Sequence, residues 1–210
     1  MATVSELLAV AAKEVGVAEE PAGSNRVRYN TWYYGKEVSG SAYPWCMVFV
    51  QWCFAQVGAS LPARTASCGA LMRAAKAGGS WVTTGYRAGD VVIYDFGEDG
   101  TTDHCGIVES AGDGFVTAIE GNTGVGNDAN GGQVQRRRRS VELVVGAVRP
   151  VYEREESGMD NIPSSWTKEA VEWAVKNGLI LGDEKGDLRL HDTVTREELM
   201  VFLQRLHELK

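Results

Sequence analysis

The sequence predicts an α+β fold: helices first, an antiparallel sheet after them, and a small helical domain at the end. Three observations predict it. The stretch "YPWCMVFVQWCFAQVG", Tyr43 to Gly58, is almost wholly apolar and carries helix punctuation at both ends. From Trp81 onward, "GDVVIYDF", "HCGIVES", "GFVTAIEG" and "VELVVGAVRP" are short, rich in β-branched residues and separated by Gly and Asp turns. Beyond Pro150 the chain becomes charged, then helical again. Helices and strands segregated in this order argue for α+β rather than alternating βαβ units.

The first helix is expected over about residues 4–15, with Thr3 and Glu6 spaced as a capping box. The segment "GVAEEPAGSNRVRYNTWYYGKEVSGSAY" has little periodicity and many turn formers, so it is expected to be loop. Pro44 suits the first turn of the next helix and Gly58 its end. Met47, Val48, Phe49, Val50, Trp52, Cys53, Phe54 and Val57 leave that helix little polar face, which predicts burial on most sides. Another helix is expected from about Ala66 to Ala77, before Gly78-Gly79. The charged run "VYEREESGMDN" is the linker candidate. After it, "SSWTKEAVEWAVKNGLI" and "TREELMVFLQRLHEL" read as two amphipathic helices, too few for a large core. Trp166, Val171, Trp173 and Val175 of the first are expected to meet Leu199, Phe202, Leu203 and Leu206 of the second.

At 210 residues the chain has room for one ordinary domain plus a small one. The net charge of −7 sits mostly in residues 151–210, which hold 8 basic and 13 acidic residues. Such an acidic balance argues against nucleic acid as a partner. No apolar run is long enough for a membrane span, so no membrane is expected. The N-terminus lacks a basic region and is interrupted by Glu6, Lys13 and Glu14. No signal peptide is expected there, and synthesis in a cytoplasm follows. The four cysteines are then expected to be unpaired. None lies in a C-x-x-C, and His104, His191 and His207 lack zinc-ligand spacing, so neither metal nor cofactor is expected.

Cys46, just after Pro44, falls at the mouth of the buried helix, where unpaired N–H groups and the helix dipole favour a thiolate. A base for it is expected on the sheet. The turn "SAGDG", Ser110 to Gly114, is centred on Gly112, midway between His104 and Glu120. A hairpin without a bulge sets those two residues opposite one another, with Cβ atoms about 4.5–5.5 Å apart. Gly106, Val108, Val116 and Ala118 share their face and leave space above it, and Asn122 points the same way if the strand continues. A carboxylate on one imidazole nitrogen orients the ring and stabilises its charged form, leaving the other nitrogen for the thiol. Cys53 reads as core, Cys105 as facing away from His104, and Cys68 as lacking a partner. These three are assigned no function. "RRRR", Arg136 to Arg139, reads as a charged strand edge, with an anion site as the alternative.

Residues 3–150 resemble the CHAP family of cysteine- and histidine-dependent amidohydrolases/peptidases, through "PWCMVFVQWC", "GDVVIYDF", "DHCGIVES" and "IEGNTG". The resemblance implies a papain-like CHAP domain with Cys46 as nucleophile, His104 as general base, Glu120 as the residue orienting it and Asn122 as a further polar site residue. It implies a peptidoglycan amide as substrate, cut either between N-acetylmuramic acid and L-alanine or within the stem peptide or cross-bridge. Some members bind calcium through an acidic loop. The matching region here, "AGSNRVRYNTWYYG", has no D-x-D-x-D-G pattern, so no calcium is expected. Trp45, Tyr43 and Tyr34 are candidates to line the substrate groove. Residues 162–210 resemble a single S-layer homology unit, through Trp166, "AVEWAVKNGLILG" and "TREE". That implies binding of a secondary cell-wall polymer, assembly into oligomers, or packing on the catalytic domain.

The expected organisation is a catalytic domain over 1–152, a linker over 153–161 and the helical unit over 162–210. The expected protein is an endolysin of bacteriophage type, made in the host cytoplasm and acting at the wall after release. A bacterial autolysin or exported effector of the same chemistry, and a non-catalytic wall-binding or assembly protein, remain the alternatives.

Overall fold

The computed structural model describes residues 2–153 and 161–209. The chain divides into two compact units, Met1–Glu155 and Glu156–Lys210. Most of the expected linker, 153–161, lies outside the described residues. Among those described, no helix is long and apolar enough to cross a membrane.

The first unit is α+β. Helices α1 (Val4–Lys13), α2 (Arg28–Tyr34), α3 (Cys46–Gln56) and α4 (Cys68–Ala77) precede six strands. These are β1 (Trp81–Val82), β2 (Val91–Tyr94), β3 (His104–Gly112), β4 (Phe115–Thr123), β5 (Gln133–Ser140) and β6 (Val144–Val148). They form one antiparallel sheet in the order β1-β6-β2-β3-β4-β5. The capping box of α1 is present: the Thr3 hydroxyl accepts from the Glu6 amide, and the Glu6 carboxylate accepts from the Thr3 amide.

Helix α3 is central. Cys46, Met47, Val48, Phe49, Val50, Cys53 and Phe54 are all buried, as an all-round apolar helix requires. Its neighbours are Leu7 and Ala11 of α1, Tyr29 of α2, and Ile93, Cys105, Ile107 and Ile119 of the sheet. Burying each large apolar side chain contributes about 1.5–3 kcal/mol. Gly121 lets β4 approach this helix: a Cβ there would lie 2.6 Å from Phe49 Cβ. The opposite sheet face carries a smaller cluster of Val92, Tyr94, Val108, Val116 and Ala118.

Helix α2 falls inside the segment expected to be loop. It has seven residues and no side-chain N-cap, so nothing local announces it. Tertiary contacts hold it instead. Buried Tyr29 stacks on Trp45 and donates to Glu14 at 2.5 Å, and Asn30 Nδ2 donates to the carbonyls of Asn25 and Tyr43.

The β3–β4 hairpin differs in register from the expected one. Its turn is Asp113-Gly114, both with positive φ (52° and 78°), and Gly112 pairs with Phe115. Glu109 has no cross-strand partner: Val108 pairs with Ala118 but Ser110 with Thr117. That bulge matters, because the turn alone would put His104 and Glu120 on opposite faces. The extra residue restores their parity. Ile107 pairs with Ile119, so the register continues with Gly106, not His104, against Glu120.

The second unit holds α5 (Lys168–Lys176) and α6 (Arg196–Glu208), the latter opened by a Thr195–Glu198 capping box. Its segments are tied by Asn161, which accepts from the Leu188 amide and donates to the Gly186 carbonyl, and by Arg205, which donates to the Leu179 carbonyl. The expected helix-to-helix packing is incomplete: Trp166 is 87% exposed, Trp173 51% and Leu203 50%. Two short helices do not supply enough partner surface to cover them. A cavity of about 650 Å³ lies within this unit, lined by residues including Trp166, Val171, His191, Phe202 and Arg205.

Candidate active site

Cys46 is the first residue of α3, after the N-cap residue Trp45. It therefore sits where the helix has unsatisfied N–H groups. His104 opens β3, paired with Tyr94 of β2, and its ring lies near those of Tyr94 and Phe96, with centroids 6.2 and 5.9 Å away. His104 Nε2 and Glu120 Oε2 are 3.0 Å apart, and both side chains are fully buried.

The carboxylate has a second partner that the sequence reading missed. Arg139 of β5 donates from Nε to Glu120 Oε1 at 2.9 Å and from Nη2 to Oε2 at 2.7 Å. Its guanidinium lies over Phe96 at 4.7 Å and pairs with Asp128 at 3.0 Å. The register Val116↔Arg139 and Ala118↔Arg137 places these arginines on the face of Glu120. Strand alternation was the available signal, but using it required the β4–β5 register. The other arginines are also engaged: Arg136 pairs with Glu109, Arg137 with Asp128, and Arg138 lies over the Phe115 ring.

The network sets the charges. Burial raises the Glu120 carboxyl, but hydrogen bonds to His104 and Arg139 and their positive charges outweigh it, so Glu120 stays below its usual range. Burial lowers His104, yet Cys46 and Glu120 overcome that and push it up to about 9. Thiol hydrogen bonds from Cys105 and Cys68, with His104 adding its own, bring Cys46 well below the ordinary thiol value against the cost of burial. The arrangement favours a thiolate beside an imidazolium. His104 Nδ1 is buried and makes no hydrogen bond of normal geometry among the described residues. The interaction with the Cys46 thiol that raises the ring lies outside that normal geometry.

Cys68 and Cys105 have partners after all. Cys105 faces away from His104, as strand alternation demands, and that turns it toward the helices and Cys46. Cys68 opens α4, and the three Sγ atoms lie within 4.8 Å of one another. All four cysteines are free, and Cys53 is core.

Asn122 is buried with φ of 59°, inside β4 at the irregularity where the pairing with β5 shifts between Glu120 and Thr123. Its Nδ2 donates to Asn130 Oδ1 at 3.1 Å, and its buried Oδ1 has no partner among the described residues. No hydrogen bond joins it to His104 or Glu120 among the described residues. Trp45 is fully buried, stacked on Tyr29 and donating to Glu19 at 2.8 Å, so it has no face for a groove. Its side is occupied by Tyr29 of α2, Glu19 and the backbone of Gly121 in β4. Tyr34 and Tyr43 are half-buried and meet edge to face at 5.1 Å.

Residues 38–122 match the family model described as CHAP domain, and residues 159–200 that of the S-layer homology domain. Cys46, His104, Glu120 and Asn122 fall within the first match; Asp128 and Arg139 lie beyond it. No curated protein matches the chain. Among solved structures, the chain is similar to "a wild type endolysin LysIME-EF1", at 16% identity and a TM-score of 0.48, over 84% of this chain and 86% of that one. It is also similar to Ly7917, at 19% identity and a TM-score of 0.43, over 70% of this chain and 62% of that one. Ly7917 "with the hydrolyzing product of MDP" aligns at 18% identity and a TM-score of 0.42, over 70% and 63%. The chain thus spans less than two thirds of the length of Ly7917.

Proposed function

Because the chain carries a CHAP domain followed by an S-layer homology domain, we propose that it is a peptidoglycan hydrolase that cuts an amide of the bacterial wall with the Cys46 thiolate. The observation that carries this reading is the fully buried His104–Glu120 pair at 3.0 Å, coupled to a helix-start cysteine held low in pKa. Cys46 Sγ attacks the amide carbonyl, and the Cys46 backbone N–H helps to hold the resulting oxyanion. The His104 imidazolium gives its proton to the departing amine, and a thioester remains on Cys46. Water, deprotonated by the now neutral His104, releases the acid product. Glu120 keeps the ring oriented and its charged form stable throughout. None of these steps requires a metal.

The scissile bond is N-acetylmuramoyl-L-alanine or a peptide bond of the stem or cross-bridge. Mass spectrometry of digested peptidoglycan decides between them. New N-terminal L-alanine identifies an amidase, and a new amine within stem or bridge identifies an endopeptidase. New reducing sugar ends would contradict both, since they require paired carboxylates in place of a thiolate.

Residues 162–210 serve, on this reading, to hold the enzyme on a secondary wall polymer. The whole protein acts as an endolysin that meets the wall after release from the cytoplasm. A gene for a membrane-pore protein beside its own supports that placement; a chromosomal autolysin locus overturns it.

A further inference from the structure

Three sulfurs converge at one point of the core. Cys46 opens α3, Cys68 opens α4, and Cys105 is the second residue of β3. All three are buried, with Sγ atoms within 4.8 Å of one another. They are far apart in sequence and form no ligand motif, so spacing rules do not reveal them. Two helix starts and the helix-facing side of one strand assemble the set.

We propose that Cys46, Cys68 and Cys105 form a binding site for a thiophilic d10 cation, zinc first among them, and that the bound form is catalytically silent because the nucleophile is a ligand. The cation site itself does not rest on the hydrolase reading; the silence of the bound form does, through Cys46 as nucleophile.

Magnitudes separate this from a disulfide. A Zn–S bond of about 2.3 Å in tetrahedral geometry puts sulfurs about 3.8 Å apart. Closing from 4.8 Å or less then asks for no more than about 1 Å of movement, within reach of side-chain rotation. A disulfide needs about 2.05 Å, a closer approach than a shared ion requires. Three sulfurs leave the fourth position of a tetrahedral ion to water. Thiolates select zinc over calcium and magnesium, whose ligands are oxygens. The same burial that excludes bulk water favours neutralising thiolate charge with a cation.

The test uses the reduced full-length chain titrated with Cd²⁺ as spectroscopic probe, and with Zn²⁺ against a chromophoric chelator. A thiolate-to-cadmium ultraviolet band saturating at one ion per chain is expected. Cys68→Ser and Cys105→Ser should each weaken binding by at least about 100-fold, as loss of a ligand exceeds the roughly 10–100-fold cost of losing an outer partner. Cys53→Ala, a core cysteine outside the triad, should bind as the wild type does. Circular dichroism identifies a variant that fails to fold, in which case the other serine variant carries the comparison. Absence of the band at saturating Cd²⁺ overturns the site, as does wild-type affinity in a folded Cys68→Ser or Cys105→Ser. A loss of two thiols on mild peroxide treatment without any cadmium band would replace the metal with a disulfide. Wall lysis, measured separately, should fall with zinc occupancy and recover with EDTA; binding without inhibition would reject the silent bound form.

Discussion

His104 and Glu120 are bound at 3.0 Å without being cross-strand partners: the residue opposite Glu120 is Gly106. The carboxylate occupies the room this glycine leaves, since a Cβ at Gly106 would lie 2.6 Å from Glu120 Cγ and 3.1 Å from Ala118 Cβ. Gly106→Ala is therefore expected to displace the carboxylate. The stability cost should be about 1–3 kcal/mol, as for other overpacked positions, with a loss of lytic rate beyond what unfolding explains. Thermal melts beside turbidity assays check this; full activity in the alanine variant would remove Glu120 placement from the account.

Arg139 is 93% buried and supplies two donors to Glu120. Arg139→Met leaves a buried carboxylate with one fewer partner and should cost about 3–5 kcal/mol. Urea denaturation measures it. A change under about 1 kcal/mol would mean that Glu120 relaxes to another donor.

Activity should depend on pH as a thiolate–imidazolium pair dictates. Cys46 is lowered, so the thiolate persists below the ordinary thiol range and is lost as pH falls through that depressed value. His104 is raised from 6.5 to about 9, so its proton is available up to that region and lysis declines as pH rises through it. The stability contribution of His104 has the same sign: complete below its unfolded value of 6.5 and lost as pH rises through about 9. Glu120, lowered from 4.5, contributes above that value and ceases to as pH falls through its depressed one. A pH–rate profile that rises steadily past pH 10 would exclude the pair as the reacting species.

Cys46→Ala and Cys46→Ser should abolish lysis of Gram-positive walls in a folded protein, and alkylation should inactivate the wild type. EDTA should not inhibit it. Substantial lysis by folded Cys46→Ala would falsify the thiolate mechanism.

Much of this site was legible because its parts obey local rules. Proline before an apolar run marks the mouth of α3, and alternation sets His104 and Cys105 on opposite faces. The hairpin shows how the right pair can follow from a register in need of correction. The turn lies later than its glycines suggest, and the Glu109 bulge compensates. Neither feature has a strong sequence mark, yet parity survives because the combined slip is even. What stayed hidden is non-local. Arg139 required the register of β5, Cys68 required the approach of α4, and α2 required Tyr29 to find Trp45.

The helical tail makes a separate prediction. Truncation after Tyr152 should leave cleavage of soluble wall fragments within about twofold, because Cys46, His104, Glu120 and Arg139 all precede the cut and belong to the first unit; independent sites couple weakly. Binding to purified walls should drop in co-sedimentation. Unchanged sedimentation discards wall targeting, and light-scattering mass with and without the tail decides whether it assembles copies.

β5 is one of the two edge strands of the sheet, and Arg139 rides on it. Outer strands open to exchange before central ones do. Each opening of β5 removes two donors from Glu120 while α3 and β3 stay folded. Function is thereby tethered to an edge of the sheet. Warming should silence lysis before the helical signal melts, with the β5 amides exchanging deuterium ahead of those in β3. Such an enzyme fails reversibly at first, because what it loses is an alignment and not a fold.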